Sequence, residues 1–148
     1  MSTKTSIEKM RDFILTCPFL TDFTDGVLID WHNQNKFGLM PSGQSIISRT
    51  DDVMGNVVVH KQCNFSLYAQ NFTIDDVIRI ETVGFLEEFS NWIEEQSING
   101  TAPVFGDNPD EEEITAQNGM LFQLYDDGQT GRYQLQISVT FEKHYNKE

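Results

Sequence analysis

Cysteine is nearly absent from this chain. Cys17 and Cys63 are the only 2 in 148 residues, too few for a disulfide framework, so two reduced and buried thiols are the expected state. Basic residues are scarce as well: 10 Lys and Arg stand against 23 Asp and Glu, a formal net charge of -13. That balance excludes a broad phosphate-binding surface, which needs clustered Lys and Arg. No stretch approaches the roughly 18 apolar residues of a membrane span, and the start, MSTKTSIEKM, lacks the apolar core of a secretion signal. The expectation is a soluble protein made and kept in the cytoplasm. The glycosylation sequons at Asn64, Asn71 and Asn99 are then chance matches.

The punctuation of catalysis is missing too. His32, His60 and His144 have no metal-ligand spacing among themselves or with the cysteines. There is no glycine-rich phosphate loop, no Gly-x-Ser-x-Gly turn and no cysteine with an evident activating partner. Asp107, Asp110 and Glu111 to Glu113 lack the alternating spacing and central glycine of a calcium loop. The sequence therefore argues against an enzyme, and no metal or cofactor is expected.

What the chain does have is one long amphipathic stretch, TIDDVIRIETVGFLEEFSNWIEEQSING, from Thr73 to Gly100. Thr73 with Asp76 has the form of an N-terminal capping pair, and Asn99-Gly100 of the matching stop. Val77, Ile78, Phe85, Leu86, Phe89, Trp92 and Ile93 recur at helical spacing, so one face is core. Phe85, Leu86, Phe89, Trp92 and Ile93 are its centre. Glu81, Glu87, Glu88, Glu94 and Glu95 take the other side. The last two lie near the helix C-terminus, where the dipole favours cations at about 0.3–1 kcal/mol per charge, so something outside the helix is expected to answer them.

Acidity is also concentrated along the chain. No Lys or Arg occurs between Arg79 and Arg132, and that interval holds Asp107, Asp110, Glu111, Glu112 and Glu113 in addition to the helical glutamates. Two readings stand: a solvated face that keeps the protein soluble, or a surface that repels a polyanion or meets a basic partner.

In chain order, Thr5 to Glu8 forms a capping box, and Ile7, Met10, Ile14 and Cys17, widened by Phe13, share one face of a short helix ending by Pro18. Val27 to His32 reads as a first strand. Asn33 to Gly43 reads as a loop whose apolar residues, Phe37, Leu39 and Met40, make either a contact with a neighbour or a satellite of the core. Ser45 to Met54 reads as a second strand and Gly55-Asn56 as a two-residue hairpin turn. Val57, Val59, Cys63, Phe65, Leu67 and Ala69 then alternate with polar residues, with Lys61 breaking the row. After the long helix, Thr101 to Glu113 reads as a mobile loop. Glu113 to Leu124 reads as a strand or a bent pair of strands around Asn118-Gly119, and a turn at Asp127-Gly128 leads to the alternation Tyr133, Leu135, Ile137, Val139 and Phe141. The tail from Lys143 is polar. Together these predict a single α+β domain over 1–148: a mostly antiparallel sheet with one face covered by a short N-terminal and a long central helix.

Three segments, IEKMRDFILTCPFL, GFLEEFSNWIEEQ and MLFQLYDDGQTGRYQLQISVTFEKHY, resemble a family of tailed-bacteriophage minor capsid or tail-completion proteins of the tail-terminator type. The resemblance covers most of the chain, with 31–54 and the acidic loop divergent. It implies a structural virion protein of the tail or neck, assembled in the host bacterial cytoplasm. It further implies a homo-oligomeric ring, six-fold in the family, that caps the tail tube, contacts the head–tail connector protein and lets DNA pass without specific binding. Asp107, Asp110, Glu111, Glu112, Glu113, Glu94 and Glu95 are then the candidate interface or lumen acids. The competing reading is an acidic monomer or dimer that mimics DNA, or another minor head protein.

Overall fold

The computed structural model describes residues 5–19, 27–29, 37–72, 76–124 and 130–146. Their elements run α1 (Ser6–Ile14), β1 (Val27–Ile29), β2 (Phe37–Asp51), β3 (Asn56–Phe72), α2 (Asp76–Asn99), a single 3-10 turn (Pro109–Glu111), β4 (Glu113–Leu124) and β5 (Thr130–Asn146). The sheet has 5 strands in the order β1-β2-β3-β5-β4. Only the short β1–β2 pairing is parallel; the other ladders are antiparallel. The protein is α+β, as its pattern of alternation and helical spacing predicts.

Local chemistry explains the helix ends. In α1 the Glu8 carboxylate accepts from the Thr5 amide at 3.4 Å and the Thr5 hydroxyl at 3.0 Å, which fixes the first turn. α2 stops where Gly100 adopts φ +75, a left-handed conformation natural to glycine, and the Thr101 amide donates to the Gln96 carbonyl at 3.0 Å. The proposed cap at Thr73 and the turn at Asp127-Gly128 lie outside the described residues, as do the side chains of Val77 and Ile78.

One buried cluster joins these elements. Met10, Phe13 and Ile14 of α1 share it with Phe85, Leu86, Phe89 and Ile93 of α2 and with Cys63, Phe65, Leu67, Tyr133, Leu135, Ile137 and Val139 of β3 and β5. Aromatic rings tie α1 to α2 and run along α2: Phe13 stacks on Trp92 at 4.9 Å, Phe89 on Trp92 at 5.7 Å, and Phe85 on Phe89 at 5.7 Å. Trp92 is half-buried rather than fully enclosed. Cys17 and Cys63 are both buried, and burial pushes the Cys63 thiol pKa up, away from reactivity.

Several expectations need correction. Phe37 and Leu39 are not a contact loop: they open β2 at 5% and 0% exposure, and Met40 beside them is half-buried. Pro41 and Gly43 suggested a loop, but a register shift between them absorbs both inside the strand. The hairpin turn is Asp52 to Gly55, because Asn56 already pairs with Asn146. β5 likewise continues through the polar tail to Asn146.

The stretch from Thr101 to Glu113 is tied down at several points. Phe105 is 5% exposed, the Asp107 amide donates to the Glu142 carbonyl at 2.8 Å, and Lys9 Nζ donates to the Val104 carbonyl at 2.8 Å. The loop thus covers the edge of β5 beyond the end of β4, whose pairing stops at Glu113↔Thr140. Its polar composition concealed this, since the anchors are long-range backbone bonds.

Candidate functional site

Three surface features stand out, and the first is an arm. Beyond the half-buried Met40, every β2 residue from Pro41 to Asp51 is exposed. No described strand pairs with its outer edge past Leu39. Ile46, Ile47, Val53 and Met54 are 66%, 55%, 101% and 78% exposed, a concentration of apolar side chains around the distal end of one hairpin. Asp52 shapes the tip by accepting from the Met54 amide at 2.8 Å and the Asn56 amide at 2.9 Å. Those bonds, the Asn56 backbone amide first, hold its pKa below the usual carboxylate range.

Register assigns the arm's two faces. Ile46 lies opposite Lys61, Arg49 opposite Val59 and Asp51 opposite Val57; Lys143 and Tyr145 complete the same face from β5. Arg49 forks onto Asp51 at 2.7 and 3.0 Å, and Lys61 Nζ lies 5.9 Å from the centre of the Tyr145 ring. Among the described residues this face therefore carries Arg49, Lys61 and Lys143, with Arg49 answered by Asp51 and Lys143 near Asp107.

The opposite face holds a feature that the sequence did not disclose. Glu142, 8% exposed, has His60 Nε2 at 3.3 Å from Oε1 and His144 Nε2 at 3.1 Å from Oε2. Asn108 Nδ2 donates to Oε2 at 3.1 Å. The His144 hydrogen bond, then that of Asn108, holds the Glu142 pKa below its ordinary value. Asp107 Oδ2 accepts from the His144 amide at 2.8 Å, which lowers its pKa as well. The imidazoles approach different carboxylate oxygens, so the group is a polar clasp between two strands and the loop. Among the described residues no three His, Cys, Asp or Glu side chains are placed to hold a metal ion. Only the His60↔Glu142 pairing brings the members together, and spacing along the chain cannot reveal a cross-strand register.

The third feature is the seam between α2 and β4. A hollow of 540 Å³ is lined by Glu94, Ser97, Ile98, Glu113 and Ile114 among others, and a second of 270 Å³ by Val83, Leu86, Glu87, Ser90 and Gly119. Helix and strand approach closely at Gly119, where an added Cβ would lie 3.0 Å from that of Leu86. Ser97 Oγ accepts the Ile114 amide at 3.2 Å, closing one end of the seam.

The acids singled out from sequence divide accordingly. Glu94, Glu112 and Glu113 converge on the larger hollow, while Glu95, Asp110 and Glu111 are exposed elsewhere and Asp107 is bound to β5. Glu112 is not a solvated acid: its two oxygens accept from the Phe105 and Gly106 amides at 2.7 and 2.9 Å. No protein-family model matches the chain, and no characterised protein matches it.

Proposed function

We propose that the protein is a structural component of a tailed-bacteriophage particle: a tail terminator whose copies form a ring, probed first as a hexamer, that caps the tail tube and meets the head connector. The exposed apolar hairpin arm carries this reading. Isolated soluble proteins rarely gather Ile46, Ile47, Val53 and Met54 at 55–101% exposure on one projecting element, and such a patch marks a contact with another chain. A sheet in which no described strand pairs with the outer edge of β2 past Leu39 also suits contacts in which different patches of identical subunits meet and close by rotation. The net charge of -13 supports passage of DNA without adhesion, because an acidic wall repels phosphates.

The test is a tube-growth assay. Tail tube protein is polymerised with increasing amounts of this protein, and tube length is measured by electron microscopy. Tubes that shorten with dose and carry a ring at one end support the reading. Tubes of unchanged length with bare ends count against it.

A further inference from the structure

The arm and the seam are complementary in character, and the terminator reading supplies the context in which they would meet. On α2, residues Ile80, Val83, Glu87, Glu94 and Ile98 fall on one outward stripe at helical spacing. Ile80 and Ile98, at its two ends, are 71% and 76% exposed. At 1.5 Å per residue those ends are about 27 Å apart. The stripe borders both hollows of the α2–β4 seam, so an extended segment laid there would find apolar ground at each end and glutamates between.

The arm has the same pattern with the charge reversed. Ile46 and Ile47 lie partway along it and Val53 and Met54 in its turn, the strand from Ile46 to Asp51 spanning about 17 Å at 3.3 Å per residue. Arg49 falls between them, and Lys61 stands opposite Ile46 on the same face. Apolar residues therefore flank charged ones on both surfaces, and Lys61, level with Ile46, falls within about one helical turn of Glu94 when Ile46 meets Ile98. Glu94, which the α2 dipole disfavours near the helix C-terminus, gains a cation in this arrangement.

We infer that the α2–β4 seam is the receiving track for the β2–β3 arm of a second copy of this chain, with Lys61 facing Glu94 and Glu113 and with Ile46 on Ile98. The two patches are different surfaces of the same molecule, so the contact is head-to-tail and each copy both gives an arm and receives one. Repetition of that contact closes a ring when its rotation divides a full turn. The inference rests on the ring reading for its setting and fixes which surfaces make the ring.

Mixed crosslinking tests it. Ile46→Cys and Ile98→Cys are prepared as separate proteins; both sites are exposed, and circular dichroism matching wild type shows that each variant folds. Under mild oxidation the mixture is expected to give a disulfide-linked pair at least tenfold more efficiently than either variant alone, with or without tail tubes. In parallel, Lys61→Glu and Glu94→Lys are each expected to weaken self-association about tenfold or more, and the double reversal in one chain to restore most of it. Wild-type rings without preferential 46–98 crosslinks would overturn the seam assignment while leaving the terminator reading standing. Preferential crosslinks in a protein that ignores tail tubes would support the seam and remove the terminator. No self-association under any condition would overturn both.

Discussion

Gly106 lies so close to the carbonyl oxygen of Glu142 that no β-carbon fits between them. That approach lets the neighbouring Asp107 amide reach the same carbonyl, and it seats the connecting loop on the edge of β5. Gly106→Ala is expected to lift the loop and cost about 1–3 kcal/mol, the usual range for forcing atoms into a packed site. Thermal unfolding measures the loss. Hydrogen exchange should show the His144 amide, now held by Asp107, losing protection ahead of the rest of β5.

Glu112 serves the same loop from within. Its carboxylate satisfies two adjacent backbone donors, so Glu112→Ala leaves both without their partner and is expected to destabilise by about 1–3 kcal/mol. Asp110→Asn and Glu111→Gln, at exposed positions, should stay within about 0.5 kcal/mol of wild type. Denaturant titration of the three variants would separate them, and equal midpoints would show that the clamp adds no stability.

The polar clasp around Glu142 imposes a pH dependence. Its folded pKa is depressed by His144 and Asn108, so its contribution is fully present above the ordinary glutamate value of about 4.3 and is lost as pH falls through the depressed one. Asp52 and Asp107, also depressed, act in the same direction. Glu142→Gln is therefore expected to flatten the acid limb of a stability–pH curve below about pH 4.3. An acid limb of unchanged slope would remove Glu142 from that account.

Within the core, Phe89 is 0% exposed and stacks between Phe85 and Trp92. Phe89→Ala is expected to cost about 3–5 kcal/mol through the cavity it leaves. Trp92→Ala should cost less, because Trp92 is only half-buried. Chemical denaturation of the pair tests the order.

The elements most legible in the sequence were those whose two sides differ. β3 and β5 alternate apolar and polar residues over most of their length because one face joins the buried core, and the aromatic stripe of α2 is legible for the same reason. The outer part of β2 has no such contrast: with Pro41 to Asp51 exposed throughout, nothing selects an alternation, and Pro41 and Gly43 give its start the composition of a loop. The candidate site was legible only in part. Glu94 is legible as an acid that wants a partner and Glu113 as part of the acidic run, but their meeting at the seam depends on the packing of α2 against β4. The His60–Glu142–His144 clasp depends wholly on strand register.

The most direct test of the central claim is the solution mass of the purified protein, alone and after mixing with short tail tubes, followed by negative-stain imaging of both samples. A closed ring in either condition, seated on a tube end when tubes are present, is the expected result. A persistent monomer that leaves the tube ends bare would contradict it.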